Sequence, residues 1–252
     1  MNKEFEIRSA TLSADEENQK LVGYAVKWNS PSQVLYCDFV ESFAPKAFSD
    51  SLASGEDVRA LFEHDYTKLL GRTSSGTLKL EEDSIGLRFE LSPPDTTTGK
   101  DLLVSVSRGD ITGMSFGFRA MEEEWKFDVE PYQRTVIKAE LFEVTVTSIP
   151  AYPESSVEIA KRSMVAAKEK MEDKKILLDN IDKIHTTEMG VDRIKRNLKI
   201  DTADVVEYCK NKVLDKNCNI YKQGKNWYCE VENIKITINS YSYTIITAHI
   251  VK

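Results

Sequence analysis

The sequence predicts an α+β chain: a β-barrel or curled sheet dressed by helices, then a smaller unit in which helices precede a sheet. Three observations carry this. In roughly the first 150 residues, short runs alternate apolar and polar side chains, the period of a half-buried strand, with one or two helical stretches between them. The stretch "SSVEIAKRSMVAAKEKMEDKKILLDN" at 155–180 has no glycine or proline and is rich in Ala, Lys and Glu, so it reads as a helix or helical linker. Charge changes sign there: residues 1–170 carry 20 Lys+Arg against 29 Asp+Glu, whereas residues 171–252 carry 14 against 12. The expected division is a domain at 1–160, a helical linker at 161–174 and a small α+β domain at 175–252.

The elements follow in order. Val22, Tyr24 and Val26 alternate in "KLVGYAVKWNS", 20–30, which suits a strand. "APKAFSDSLAS", 44–54, reads as a short helix with Pro45 in its first turn. Val58, Ala60, Phe62 and His64 fall on one face of a strand, and Arg59, Leu61 and Glu63 on the other. Two alternating runs at 77–94 surround Asp-Ser-Ile-Gly and predict a hairpin. A helix at 98–111 closes at Gly109. Residues 113–125 and 132–153 read as strands. Beyond the linker, Ile176, Leu177, Ile181 and Ile184 recur at helical spacing; Thr186 or Thr187 can cap a second helix, and 201–214 is a third. Three or so strands occupy 219–249.

Composition excludes several classes. A net charge of −7 argues against general nucleic-acid binding by the whole chain. No apolar run is long enough to cross a bilayer, and the N-terminal residues are too charged for a signal peptide. Cys37, Cys209, Cys218 and Cys229 lack zinc-type spacing and read as free thiols in a reducing compartment. No metal or cofactor is expected, and cytosol is the default.

His64 is the only histidine in the first 184 residues, and it raises the question of a nucleophile it could activate. It can equally cap a sheet edge and bond a loop. In "TGMSFGF", 112–118, Ser115 lies between Gly113 and Gly117, which leave room for close approach of a substrate carbonyl or simply let a strand bend. Glu143 shares a strand face with Thr145 and Thr147 among apolar neighbours, where a carboxylate needs a partner; His64 is the expected one. Glu140, on the other face by simple alternation, is the alternative acid. Arg119, two strand positions past Gly117, is a candidate oxyanion contact through water.

Six segments, "GYAVKWNS", Glu41-x-Phe-x-Pro-x-Ala-Phe48, "ALFEHD", "LLGRTSSGTLKLEEDSIGLRFELSPP", "GMSFGF" and "LFEVTVTSIPAYP", occur in an order that resembles the tailed-phage prohead proteases, the serine peptidases of capsid maturation. The resemblance covers residues 5–160. It implies a helix-flanked β-barrel similar to the herpesvirus assembly proteases, and a Ser–His pair at Ser115 and His64. Glu143 as the acid rests on geometry. The resemblance further implies a major capsid or scaffold protein as substrate, cleavage of the protease itself, self-association, and action in the bacterial host cytoplasm inside immature phage capsids. The alternative is an assembly or interaction protein that retains the scaffold without catalysis.

The last eighty residues resemble a small uncharacterised bacterial family through "IHTTEMGVDRIKRNL", "GKNWYCEV" and "TINSYSYTIITAH". That family usually stands alone, so Met171 reads as an old start codon. The order of elements is also similar to small ribonuclease toxins, in which His185, Arg193, Lys225, Tyr243 and His249 could supply acid, base and phosphate contacts. RNA is a candidate partner for this part alone; a plain interaction domain is the other reading.

Overall fold

The computed structural model describes residues 6–15, 19–35, 38–148 and 154–251. Cys37 and the 149–153 end of the expected last strand lie outside them. The chain divides into two compact units, Met1–Met164 and Val165–Lys252.

The first unit is one curled sheet. Its strands are β1 (Glu6–Asp15), β2 (Lys20–Lys27), β3 (Phe39–Phe43), β4 (Arg59–Phe62), β5 (Asp65–Arg72), β6 (Leu78–Glu82), β7 (Gly86–Leu91), β8 (Gly113–Lys126) and β9 (Tyr132–Thr147). They pair in the order β5-β4-β9-β8-β1-β2-β7-β6, with β3 alongside β9. Helix α1 (Ser49–Ala53) follows β3, and α2 (Thr97–Ser107) joins β7 to β8.

The expected closed barrel is not formed. The hydrogen-bonded path is open, with β5 and β6 as its two edges. These edges are joined by a one-turn helix at Thr73–Ser75, and Arg72 N–H donates to the Thr77 hydroxyl (2.9 Å) rather than to a strand carbonyl. The curl is nonetheless strong: a Cβ on Gly71 of β5 would stand 2.7 Å from Leu91 Cδ1 of β7.

Local chemistry explains the punctuation. Asp83 Oδ1 accepts from Ile85 N–H (2.7 Å) and Gly86 N–H (3.0 Å), closing the β6–β7 connection as an Asx turn. Gly86 is required there, because a Cβ would lie 1.9 Å from the Val26 carbonyl oxygen. Thr96 Oγ1 caps α2 by accepting from Gly99 N–H, and Gly109, at φ 81°, ends the segment. The expected helix at 44–54 is shorter, beginning at Ser49 after a turn at 45–48.

The concave side of the sheet holds the core, which includes Leu21, Phe89, Leu91, Met114, Phe116, Phe118, Val144 and Val146. Phe43 packs edge-on against Phe116 (5.6 Å between centroids) and Phe118 (5.0 Å). Such pairs contribute about 0.5–1.5 kcal/mol each beyond their buried area. A satellite cluster joins Leu35, Phe39, Ala160 and Met164 to Trp125, Phe127 and Tyr132. Beside it, Arg134 is 1% exposed; its Nη1 donates to Glu41 Oε2 (2.5 Å), and its Nε and Nη2 donate to Glu123 Oε2 (2.8 and 2.6 Å).

Helix α3 (Glu154–Asp179) spans the stretch read as a linker without a break. Ala160 and Met164 are buried in the satellite cluster of the first unit, and Leu177 in the core of the second. The second unit continues with α4 (Glu188–Leu198), α5 (Val205–Val213) and a meander of four strands, β10 (Asn219–Gln223), β11 (Asn226–Val231), β12 (Ile234–Asn239) and β13 (Ile245–Ile250). Thr187 caps α4 by accepting from Gly190 N–H (3.2 Å), and Asp204 caps α5 through Glu207 N–H (2.9 Å). Cys209, Cys218 and Cys229 are buried free thiols of this core, and burial pushes Cys209 up to about 12. Among the described residues, no helix is long and apolar enough to cross a membrane.

Candidate active site

Strand β9 is the organiser. It runs antiparallel to β8, with Ser115 opposite Thr145 and Gly117 opposite Glu143. On its other side it runs parallel to β4, with Arg59 opposite Glu143 and Leu61 opposite Thr145. Directly opposed residues project to one face, so Ser115, Gly117, Glu143 and Thr145 share the face turned away from the core. Ser115, Glu143, Thr145 and Thr147 are all buried, at 0–1% exposure.

The Glu143 carboxylate is satisfied on both oxygens. His64 Nδ1 lies 3.1 Å from Oε1, and the Thr145 hydroxyl donates to Oε2. Two partners offset the cost of burying the carboxylate. A bond from an imidazole to an ionised carboxylate has the ring nitrogen as donor. That places the proton on Nδ1 and leaves Nε2 as the basic nitrogen.

His64 does not sit on a strand, contrary to its alternation with Phe62. β4 and β5 pair as Phe62 with Asp65, leaving Glu63 and His64 as a two-residue turn. Both are left-handed, at φ 53° and 54°, as in a type I′ hairpin turn. No glycine or asparagine marks this turn, which is why the sequence pattern concealed it. Its left-handed backbone is held from the side of β9. Glu63 N–H donates to the Val146 carbonyl (3.0 Å), and the Glu63 carboxylate accepts from Thr147 Oγ1, Ser148 N–H and Ser148 Oγ, each at 2.8 Å. Burial pushes the Glu63 carboxyl up, but the Ser148 and Thr147 bonds outweigh it and hold the group below its ordinary value, with a further contribution from His64.

The alternative acid is placed differently from expectation. β9 carries a bulge: Gly117 faces Glu143 and Phe118 faces Leu141, so Phe142 is an extra residue. The slip brings Glu140 onto the Glu143 face, whereas simple alternation puts it on the other. Glu140 is opposite Arg119 and paired with its guanidinium, which also lies 5.7 Å from the Phe142 ring. Arg119 is therefore on the Ser115 face, as expected. Gly113 begins β8 opposite Thr147. Tyr66 of β5 is also electrostatically close: burial, then the Glu143 charge, push its phenol up.

Thr145, Glu63, Thr147 and Ser148 were not singled out by sequence reasoning. Thr145 had a signal, since it follows Glu143 by two positions on the same strand.

The candidates in the second unit gather only in part. His185 bridges to Thr244 beside Tyr243, and both of its nitrogens are engaged: Nδ1 with the Lys183 carbonyl (2.9 Å), Nε2 with Thr244 Oγ1 (3.2 Å). Arg193 donates to the Ile246 carbonyl (2.8 Å), and the Lys225 carbonyl accepts from Ser240 N–H (2.9 Å). His249, opposite Lys235, lies five residues past Thr244, about 16 Å along an extended chain. It is not part of the His185 cluster.

No curated protein and no solved structure matches the chain. Residues 178–249 match a family model described only as a protein of unknown function (DUF3781). Residues 3–170, which contain the whole His64–Glu143–Ser115 arrangement, match the model for the caudovirus prohead serine protease. That match takes in well over half of the 252 residues, and the chain belongs to the caudovirus prohead serine proteases.

Proposed function

We propose that the first unit is an active serine endopeptidase in which Ser115 is the nucleophile, His64 the general base and Glu143 the residue that orients it. The observation that carries this is the 3.1 Å His64–Glu143 contact on the sheet face that Ser115 shares. Membership of a serine protease family with a role in phage capsid maturation supports it.

The chemistry is acyl transfer in two halves. Ser115 Oγ attacks the peptide carbonyl while Nε2 of His64 takes its proton, and Glu143 stabilises the imidazolium through Nδ1–H. The same proton then goes to the leaving amine, and water releases the acyl group in the reverse sequence. Gly113 and Gly117 leave the flanks of Ser115 without side chains, where the substrate backbone lies. Arg119 lies four residues beyond Ser115 on the same strand face, about 13 Å along β8, and its guanidinium is held by Glu140, so it is a weaker candidate for contact with the oxyanion. Ser115 is fully buried, so attack requires the cover over this face to move.

The substrates in this reading are capsid or scaffold segments and the chain itself, cut within immature capsids in the host cell. Family membership supports the setting. Exposure favours 165–172 for self-cleavage in this reading: Val165 and Met171 are 46% and 54% exposed, whereas Ala160, Met164 and Leu177 are buried on either side.

The test is a fluorophosphonate reagent followed by peptide mass mapping, alongside cleavage of a co-expressed capsid protein. One adduct on the peptide holding Ser115 is expected, with loss of both adduct and cleavage in Ser115→Ala. Capsid cleavage that persists in Ser115→Ala overturns the assignment.

A further inference from the structure

We propose that Glu63 is a positioning residue for His64: its carboxylate clamps the left-handed turn to the end of β9 and thereby holds the imidazole over Glu143. The proposal rests on the reading of His64 as the base and adds a group outside the expected triad.

The geometry points to it in three steps. First, a non-glycine residue with positive φ is disfavoured by about 1–2 kcal/mol, and this turn contains two in succession at φ 53° and 54°. Such a conformation persists only where the surroundings over-determine it. Second, the Glu63 side chain provides that constraint through its bonds to Thr147 and Ser148, all at 2.8 Å. Third, the anchor points are Thr147, the last residue of β9, and Ser148 directly after it, and the same strand carries Glu143 four residues before Thr147. The base and its acid are therefore referenced to one strand, and the clamp fixes the distance between them.

Adjacent residues do opposite things here. Glu63 turns to the β9 terminus and His64 to Glu143, so neither carboxylate is shared. The clamp is not a reacting group; it acts through the imidazole it places. A displacement of about 1 Å at a reacting group can cost about a hundredfold in rate, which sets the scale of the expected effect.

The experiment cuts the clamp from both sides, with Glu63→Ala and with the double variant Thr147→Val, Ser148→Ala, which leaves Glu63 in place. Two readouts are taken: ring nitrogen and Nδ1–H resonances of His64, and single-turnover cleavage of a purified capsid protein. In both variants kcat is expected to fall about 10- to 100-fold with KM changed less than threefold, and the His64 resonances are expected to lose the carboxylate-bonded signature. Folding is checked by retention of the remaining amide spectrum, and the double variant stands in if Glu63→Ala unfolds. An unaltered His64 spectrum in either folded variant overturns the proposal. Because the resonances do not depend on turnover, they decide it even if Ser115→Ala shows that the protease reading itself is wrong.

Discussion

Nδ1 of His64 and Oε1 of Glu143 stand 3.1 Å apart although 79 positions separate them in the chain. Parallel pairing of β4 with β9 makes this possible, because it sets Phe62 beside Val146 and so brings the turn after β4 to the end of the strand that carries the carboxylate. Removing the carboxylate's charge tests what the contact does. Glu143→Gln is expected to lower the cleavage rate by about four powers of ten, since the tautomer is no longer held. Thr145→Val, which removes only the second bond to Glu143, is expected to lower it by about tenfold. Single-turnover cleavage of capsid protein measures both, and an unchanged rate in Glu143→Gln removes that residue from the mechanism.

Arg134 gives a stability test away from the site. Its side chain and that of Glu41 are each 1% exposed, and removing Arg134 takes the buried cation from both Glu41 and Glu123. Arg134→Ala is expected to cost about 3–5 kcal/mol. Replacing both, with Arg134→Met and Glu41→Leu, is expected to recover most of that, and urea denaturation compares the two. Equal losses would mean that packing rather than the broken buried ion pair sets the cost.

Glu63 predicts a pH dependence with a defined sign. Its folded carboxyl lies below the ordinary 4.5, so the folded chain binds that proton less readily than the unfolded chain. The stabilisation is complete above that value and declines as pH falls through it toward the folded value. The difference in urea midpoint between wild type and Glu63→Gln should therefore be largest at neutral pH and shrink below about 4.5. A difference that is constant with pH would show that ionisation is irrelevant there.

The exposed middle of α3 is where self-processing is expected. Active wild-type chain is expected to yield two fragments whose junction lies within 165–172, whereas Ser115→Ala chain stays whole. Intact mass reads the junction directly. A junction between Ala160 and Met164 contradicts the assignment, because both of these side chains are buried.

The sequence carried the strands and the residues of the site better than their closure and their local backbone. Glu143 and Thr145 could be set on one face because β9 alternates from Glu143 onward, but that Ser115 stands opposite Thr145 is a matter of register between two strands, which alternation within each does not specify. The hairpin at Asp83 and the caps at Thr187 and Gly109 announced themselves through side-chain oxygens and glycine. The turn at Glu63–His64 did not, because its left-handed pair is held by partners more than eighty positions away. Closure of the sheet was likewise invisible: alternation specifies which face is buried, and says nothing about whether β5 and β6 exchange hydrogen bonds.

The extra residue at Phe142 makes β9 sensitive to length rather than to side-chain identity. Upstream of it, Leu141 and Ala139 face the core; downstream, Val144 and Val146 do. Deleting Phe142 would leave a regularly alternating strand with every side chain on its present face, whereas inserting a further residue would turn the upstream half over, exposing Leu141 on the polar side and driving Glu140 into the apolar interior. The bulge is thus the place where β9 already holds one residue more than its partner strand, and a gain of length there, more than the identity of residue 142, decides which side chains reach the core.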